Sequence, residues 1–157
     1  RLKEKNIINF KNKPLFIWSY ISAKKSKYID KILISTESKK VINIAKKYGY
    51  RSNVLRDKKL SQDKTESEEV IFDIIQKNKK YKYFILLQPT SPLRNNFDID
   101  RSIELLIKKD KDFLVSVNKS SNKYNGAIYI NKINNFIKTK KFSKKKKFFL
   151  RCLQKNQ

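Results

Sequence analysis

The segment Gln88-Pro89-Thr90-Ser91-Pro92-Leu93-Arg94 concentrates an amide, two hydroxyls, two prolines and an arginine in one short stretch. Each has its own chemical use. Gln88 both donates and accepts, Thr90 and Ser91 can hydrogen-bond hydroxyls or carboxylates, and Arg94 can either clamp an anion or pin the loop. Prolines fix φ and so pre-organise the polar groups between them. The same stretch also reads as a plain rigid turn. Other chemistries are excluded by composition, because the chain has no histidine, one cysteine (Cys152) and two glycines, Gly49 and Gly126. Ser-His-Asp and Cys-His catalysis, an internal disulfide framework and the usual structural zinc sites all fall away. Neither a P-loop nor a GxGxxG fingerprint can be written with two glycines. A phosphate site in this chain must therefore use side chains.

Those residues need elements to hold them. The apolar run Tyr83-Phe84-Ile85-Leu86-Leu87 reads as a buried strand that Pro89 and Pro92 end. Phe97 or Asp98 then opens a helix through Ile103, Leu106 and Ile107, residues 113–117 and 127–130 read as strands, and residues 133–137 as a helical turn. Upstream, Pro14 begins a helix over residues 14–26, with Phe16, Ile17, Tyr20 and Ile21 at helical spacing. Residues 31–36 read as a strand, and Ser38 caps a helix over residues 39–48 that Gly49 terminates. Residues 51–55 read as a weaker strand and residues 66–79 as a helix with Val70, Ile71, Ile74 and Ile75 inward. Strands alternating with helices predict an α/β domain: a three-layer αβα, Rossmann-like arrangement around a mostly parallel sheet. Ligands lie beyond the carboxyl ends of strands in such sheets. Thr36, Glu37, Arg56, residues 88–94 and residues 117–119 occupy those places.

A chain of 157 residues and 18.8 kDa suits one domain, here residues 1–141, followed by a basic tail over residues 142–157. The net charge of +25, from 39 basic and 14 acidic residues, raises a polyanion as partner. Its distribution points away from nucleic acid: 33 of the cations are lysines spread over every segment and only 6 are arginines. Lysine, isoleucine and asparagine fill 68 of the 157 positions, the pattern of an A+T-rich coding bias. The block of residues 144–147, all lysine and followed by Phe148 and Phe149, reads as a solvated tail or as a polyanion contact with stacking aromatics. No run approaches the roughly 18 apolar residues of a membrane span. Residues 1–13 hold no secretory apolar stretch, which makes the cytoplasm the default compartment. The absence of methionine implies that Arg1 is not a translation start.

Four blocks then stand in order: Lys5-Asn6-Ile7 with Lys13-Pro14-Leu15; Ile32-Leu33-Ile34-Ser35-Thr36 with Ile44-Ala45-Lys46-Lys47-Tyr48-Gly49; residues 86–94; and Asn125-Gly126-Ala127-Ile128-Tyr129-Ile130. In this order the sequence resembles the acylneuraminate cytidylyltransferases, the synthetases of CMP-sialic acid, and their legionaminate relatives, over about residues 1–137. The resemblance implies a nucleotide-diphospho-sugar transferase type of fold. It also implies a reaction in which the anomeric hydroxyl of a nine-carbon acid sugar attacks the α-phosphate of CTP and pyrophosphate leaves, with Mg²⁺ and basic side chains offsetting charge. Position by position it places Lys5 on the triphosphate as the catalytic cation, Asn6 near the nucleotide, Arg56 on the nucleotide and Ser67 near the cytidine. Gln88 and Thr90, with Ser91 beside them, match the sugar side. A homodimer is implied for the complete form. Legionaminate, pseudaminate or another acid sugar is an alternative substrate, and a nucleotide-binding chain without turnover or a basic nucleic-acid-binding module are alternatives of other classes.

The chain departs from the family pattern in three places. Residues 1–6 match only the stretch just after the family's opening strand and glycine-containing phosphate loop, so that central strand is expected to be missing. Losing about four buried apolar side chains removes roughly 6–12 kcal/mol of burial, comparable to the roughly 5–15 kcal/mol stability of a whole domain. Only residues 118–124 separate Val115-Ser116-Val117 from Asn125, where the family has several dozen, and residues 142–157 hold no acidic residue for a metal-binding Asp-x-Asp. The metal ligands are therefore not assigned. Asp98-Ile99-Asp100 has the right letters but opens a helix, where acids meet the helix dipole, as do Glu66, Glu68 and Glu69.

Overall fold

The computed structural model describes residues 4–62, 64–117, 128–139 and 148–151. A hairpin of β1 (Asn9–Phe10) and β2 (Lys13–Pro14) leads into α1 (Leu15–Lys24), and the Trp18 indole N–H donates to the Phe10 carbonyl at 2.8 Å, tying the hairpin to the helix. Helix α2 (Lys39–Lys47) starts at Ser38, whose hydroxyl accepts from the Val41 N–H, and stops before Gly49 at φ +90°. That left-handed stop suits glycine, which carries no Cβ penalty there. Helix α3 (Ser67–Gln76), strand β3 (Tyr83–Leu87) and helix α4 (Asn96–Lys108) follow, then strands β4 (Phe113–Val117) and β5 (Ile128–Lys132), helix α5 (Ile133–Thr139) and strand β6 (Phe148–Arg151).

The four-stranded sheet has the order β3-β5-β4-β6. Strands β3, β4 and β6 share a direction, and β5 runs against both of its neighbours. The expectation of a mostly parallel sheet missed this reversal. Only residues 118–127 join β4 to β5, and a parallel crossover needs a dozen or more residues, usually a helix. Residues 31–36 and 51–55, expected as strands, carry no ladder among the described residues. They meet at single links: the Arg56 N–H donates to the Thr36 carbonyl at 2.8 Å and the Ile34 N–H to the Tyr50 hydroxyl at 3.1 Å.

Strand β3 feeds two cores by period-2 alternation. Tyr83, Ile85 and Leu87 pack with Ile99, Ile103 and Leu106 of α4, while Phe84 and Leu86 pack with Ile71, Ile75 and Phe136 of α3 and α5. Helices thus cover both faces of the sheet, as the three-layer α/β reading requires. A third cluster joins α1 to α2 through Phe16, Ile17, Tyr20, Ile42, Ala45 and Tyr50, with Ile32 and Ile34 against it. Among the described residues, no helix is long and apolar enough to cross a membrane.

Between residues 28–35 and β3 lies a cavity of about 520 Å³, walled by Tyr20, Ala23, Val70, Ile74, Ile85 and Leu87. β3 pairs only with β5 among the described residues, so its other edge borders this space.

The acidic residues at the start of α4 are structural. Asn95 accepts from the Asp98 N–H and Asp98 from the Asn95 N–H, both at 3.0 Å, closing a capping box. The buried Asp100 carboxylate accepts from the Ser26 hydroxyl at 2.5 Å.

Ile130 sits fully buried on β5 between β3 and β4, whereas Phe97 is 75% exposed. Ile130→Ala is expected to lower stability by about 2–5 kcal/mol and Phe97→Ala to stay within about 0.5 kcal/mol, measured by urea denaturation.

Candidate functional site

The residue that the sequence left open between two roles, Arg94, is a pin. Its guanidinium is buried, with Nη2 donating to Ser19 Oγ at 2.6 Å and Nη1 to the Gln88 carbonyl at 3.4 Å. The Arg94 carbonyl accepts from the Ser22 hydroxyl at 2.8 Å. Two serines three residues apart on the buried face of α1 therefore hold the loop that leaves β3. Inside it, the Ser91 N–H donates to the Gln88 carbonyl at 3.3 Å. Thr90 is exposed, and Gln88 and Ser91 are half-buried. The loop is thus fixed from beneath by backbone and arginine, and its polar side chains stand above that support.

Arg56 lies where residues 31–36 end. Its Nη2 donates to Glu37 Oε2 at 2.5 Å and its Nε to Ser61 Oγ at 3.2 Å, while the Ser61 hydroxyl donates to the Asp57 carbonyl at 3.0 Å. Partial burial pushes the Glu37 carboxyl up, but its backbone N–H, the Arg56 guanidinium and Ser61 outweigh that and hold it below the usual carboxylate range. Arg56 and Ser67, the first residue of α3, both line the 520 Å³ cavity, as do Ser19 and Pro89.

Lys5 and Asn6 are exposed in a one-turn 3-10 helix, Lys5–Ile7, packed against α1. Glu4 precedes it, and Lys40 of α2 donates to both Glu4 carboxylate oxygens at 3.0 and 3.1 Å. Of the expected site residues, the cavity brings together Arg56 and Ser67. Lys5, Asn6, Gln88, Thr90 and Ser91 do not line it. Asn125, Gly126 and Ala127, the block at residues 144–147 and the residues at 118–119 lie outside the described residues. Sequence reasoning singled out Glu37 only as a residue after a strand, and it missed Ser19 and Ser61. Polar residues on the buried face of an apolar helix were the available signal for Ser19.

Among the described residues, no group of three or more histidine, cysteine or acidic side chains is gathered that could hold a metal ion. The chemistry that Arg56, Ser67 and the loop after β3 offer is cationic and amide binding of an anionic, hydroxylated ligand.

A fold of this kind is shared with CMP:2-keto-3-deoxy-manno-octonic acid synthetase solved with CTP, at a TM-score of 0.72 and 10% identity over 97% of this chain and 85% of that one. The family model described as cytidylyltransferase matches residues 1–151, and the chain belongs to that family. It is 31% identical over 138 residues to the pseudaminic acid cytidylyltransferase of Campylobacter jejuni, covering 85% of this chain and 60% of that protein. It is 33% identical over 121 residues to the N-acylneuraminate cytidylyltransferase of Escherichia coli O18:K1:H7, covering 76% of this chain and 29% of that protein. The chain thus spans less than two thirds of the length of these relatives.

Two outcomes are expected from the geometry. Arg94→Ala leaves Ser19 and the Gln88 carbonyl without their guanidinium and is expected to cost roughly 1–3 kcal/mol in urea denaturation, against little change for the exposed Thr90→Ala. The Glu37 carboxyl has a lower pKa folded than unfolded. Its contribution is complete above the unfolded value of about 4.3 and is lost as pH falls through the folded value. The stability gap between the unaltered chain and Glu37→Gln should therefore narrow from pH 7 to pH 3. A gap that persists at pH 3 contradicts the assignment.

Proposed function

We propose that this chain carries the nucleotide-binding part of a CTP-dependent cytidylyltransferase that activates a nine-carbon acid sugar, giving the CMP-sugar and pyrophosphate. Pseudaminic, sialic and legionaminic acids are the candidate substrates. The reading rests on one observation above the rest: Arg56, held at the carboxyl end of residues 31–36, shares a cavity rim with Ser67 beside the pinned loop after β3. That loop leaves the carboxyl end of β3, and in α/β sheets ligands bind at the carboxyl ends of strands.

In the proposed reaction the sugar's anomeric oxygen forms a bond to the α-phosphorus, the α–β bridge bond breaks, and the hydroxyl proton is released as pyrophosphate departs. Arg56 binds the nucleotide's phosphates through its planar fork and Lys5 offers a second cation to the triphosphate. Asn6 and Ser67 contact the nucleoside. Gln88, Thr90 and Ser91 hydrogen-bond the sugar's hydroxyls and carboxylate, and the rigid loop lowers the ordering cost of those contacts. We place the reaction in the cytoplasm, serving surface polysaccharide synthesis, with the complete enzyme as a homodimer.

Pyrophosphate release tests this on folded chain supplied with CTP, Mg²⁺ and a panel of nonulosonic acids, with ATP, GTP and UTP as controls. CTP- and sugar-dependent release is expected. Arg56→Ala should raise the KM for CTP by about tenfold, the loss of one charge-assisted contact, and Gln88→Ala should raise mainly the KM for the sugar. CTP binding without release points instead to a nucleotide-binding chain, and unchanged kinetics in both variants removes the residue assignment.

A further inference from the structure

Arg56 is one of only 6 arginines in a chain of 33 lysines, and it is braced rather than free. A guanidinium has two forked edges, one formed by Nε and Nη2 and the other by Nη1 and Nη2. Here the first edge is taken. Ser61 Oγ accepts from Nε at 3.2 Å and Glu37 Oε2 from Nη2 at 2.5 Å, from two different segments of the chain. Among the described residues, Nη1 makes no hydrogen bond, so the second edge remains for a bidentate anion. The backbone is tied at the same place, since the Arg56 N–H donates to the Thr36 carbonyl one residue before Glu37.

We infer that Glu37 is a positioning residue whose carboxylate turns the Nη1/Nη2 edge of Arg56 toward the phosphates of the bound nucleotide. This rests on the CTP-binding reading above. A merely attractive surface pair has a different form. Lys77 and Asp73 bridge one turn of α3 with the lysine 68% exposed, whereas the Arg56 side chain is 23% exposed and fixed at two of its nitrogens. Glu37 also lowers the net positive charge at the site, which weakens long-range attraction for an anion. Its use is directional, because bidentate recognition of phosphate depends on the plane of the guanidinium.

CTP and cytidine binding, measured by calorimetry on the 157-residue chain, separates the roles. Glu37→Ala is expected to weaken CTP by about tenfold and leave cytidine unchanged, because only the phosphates meet Arg56. Glu37→Gln, which keeps an acceptor oxygen at the same reach, should bind CTP within about twofold of the unaltered chain. Glu37→Ala added to Arg56→Ala should cost nothing further, since both remove one interaction. Circular dichroism monitors folding, and if Glu37→Ala does not fold, Ser61→Ala, which removes the Nε brace together with the hydroxyl's bond to the Asp57 carbonyl, carries the same CTP-against-cytidine test with a smaller loss. Unchanged CTP affinity in folded Glu37→Ala, equal losses for CTP and cytidine, or additivity with Arg56→Ala overturns the positioning role alone. Failure of the unaltered chain to bind CTP overturns the nucleotide reading and the positioning role with it.

Discussion

Strand β3 is the member on which the layers depend. Its five residues are apolar on both faces, so it can be stable only with helices above and below, and α4 on one side with α3 and α5 on the other supply them. One of its backbone edges is satisfied by β5 and the other borders the 520 Å³ cavity. The half-buried state of all five residues reflects that open edge. The loop after β3 inherits its position from this strand, because Leu87 is locked into the α4 core one residue before Gln88.

What fixes the loop is an economy of polar groups inside an apolar layer. A buried guanidinium is costly unless its donors are met, and Ser19 from a helix and the Gln88 carbonyl from the loop itself accept from its two terminal nitrogens. Once Arg94 is committed beneath the loop it is withdrawn from ligand chemistry. On the proposed nucleotide reading phosphate binding falls to Arg56, whose second fork edge faces no protein partner among the described residues.

Helices were legible because each carries its own evidence. Ser38 before α2 and Gly49 after it, the apolar spacing in α1, and the acids opening α3 and α4 are local signals, and the structure places helices there within a few residues. Strands are defined by partners, and this is where the sequence was insufficient. The run Ile32-Leu33-Ile34 is as strand-like as β3 in composition, yet it borders the cavity and forms no ladder among the described residues. The reversal of β5 was written in the shortness of residues 118–127 rather than in any pattern of side chains. At the site, a rigid loop and a cation could be read from residue types. The pairing of Glu37 with Arg56, 19 residues apart, required two separate segments of the chain to meet.

The two cations proposed to meet the nucleotide are held very differently. Lys5 rides on a single 3-10 turn secured to α2 by Lys40 and Glu4, side chains 58% and 61% exposed. Such surface pairs contribute little and are screened by salt. Arg56 is held at its backbone by Thr36 and at its side chain by Glu37 and Ser61. Its guanidinium plane is therefore set before a ligand arrives, and a ligand gains from it without a further ordering cost. Among the described residues Lys5 has no comparable brace, and its long side chain would lose rotamer freedom on meeting a phosphate. On the proposed nucleotide reading, recognition would begin from the pre-organised arginine, with the lysine recruited by charge once the triphosphate is in place.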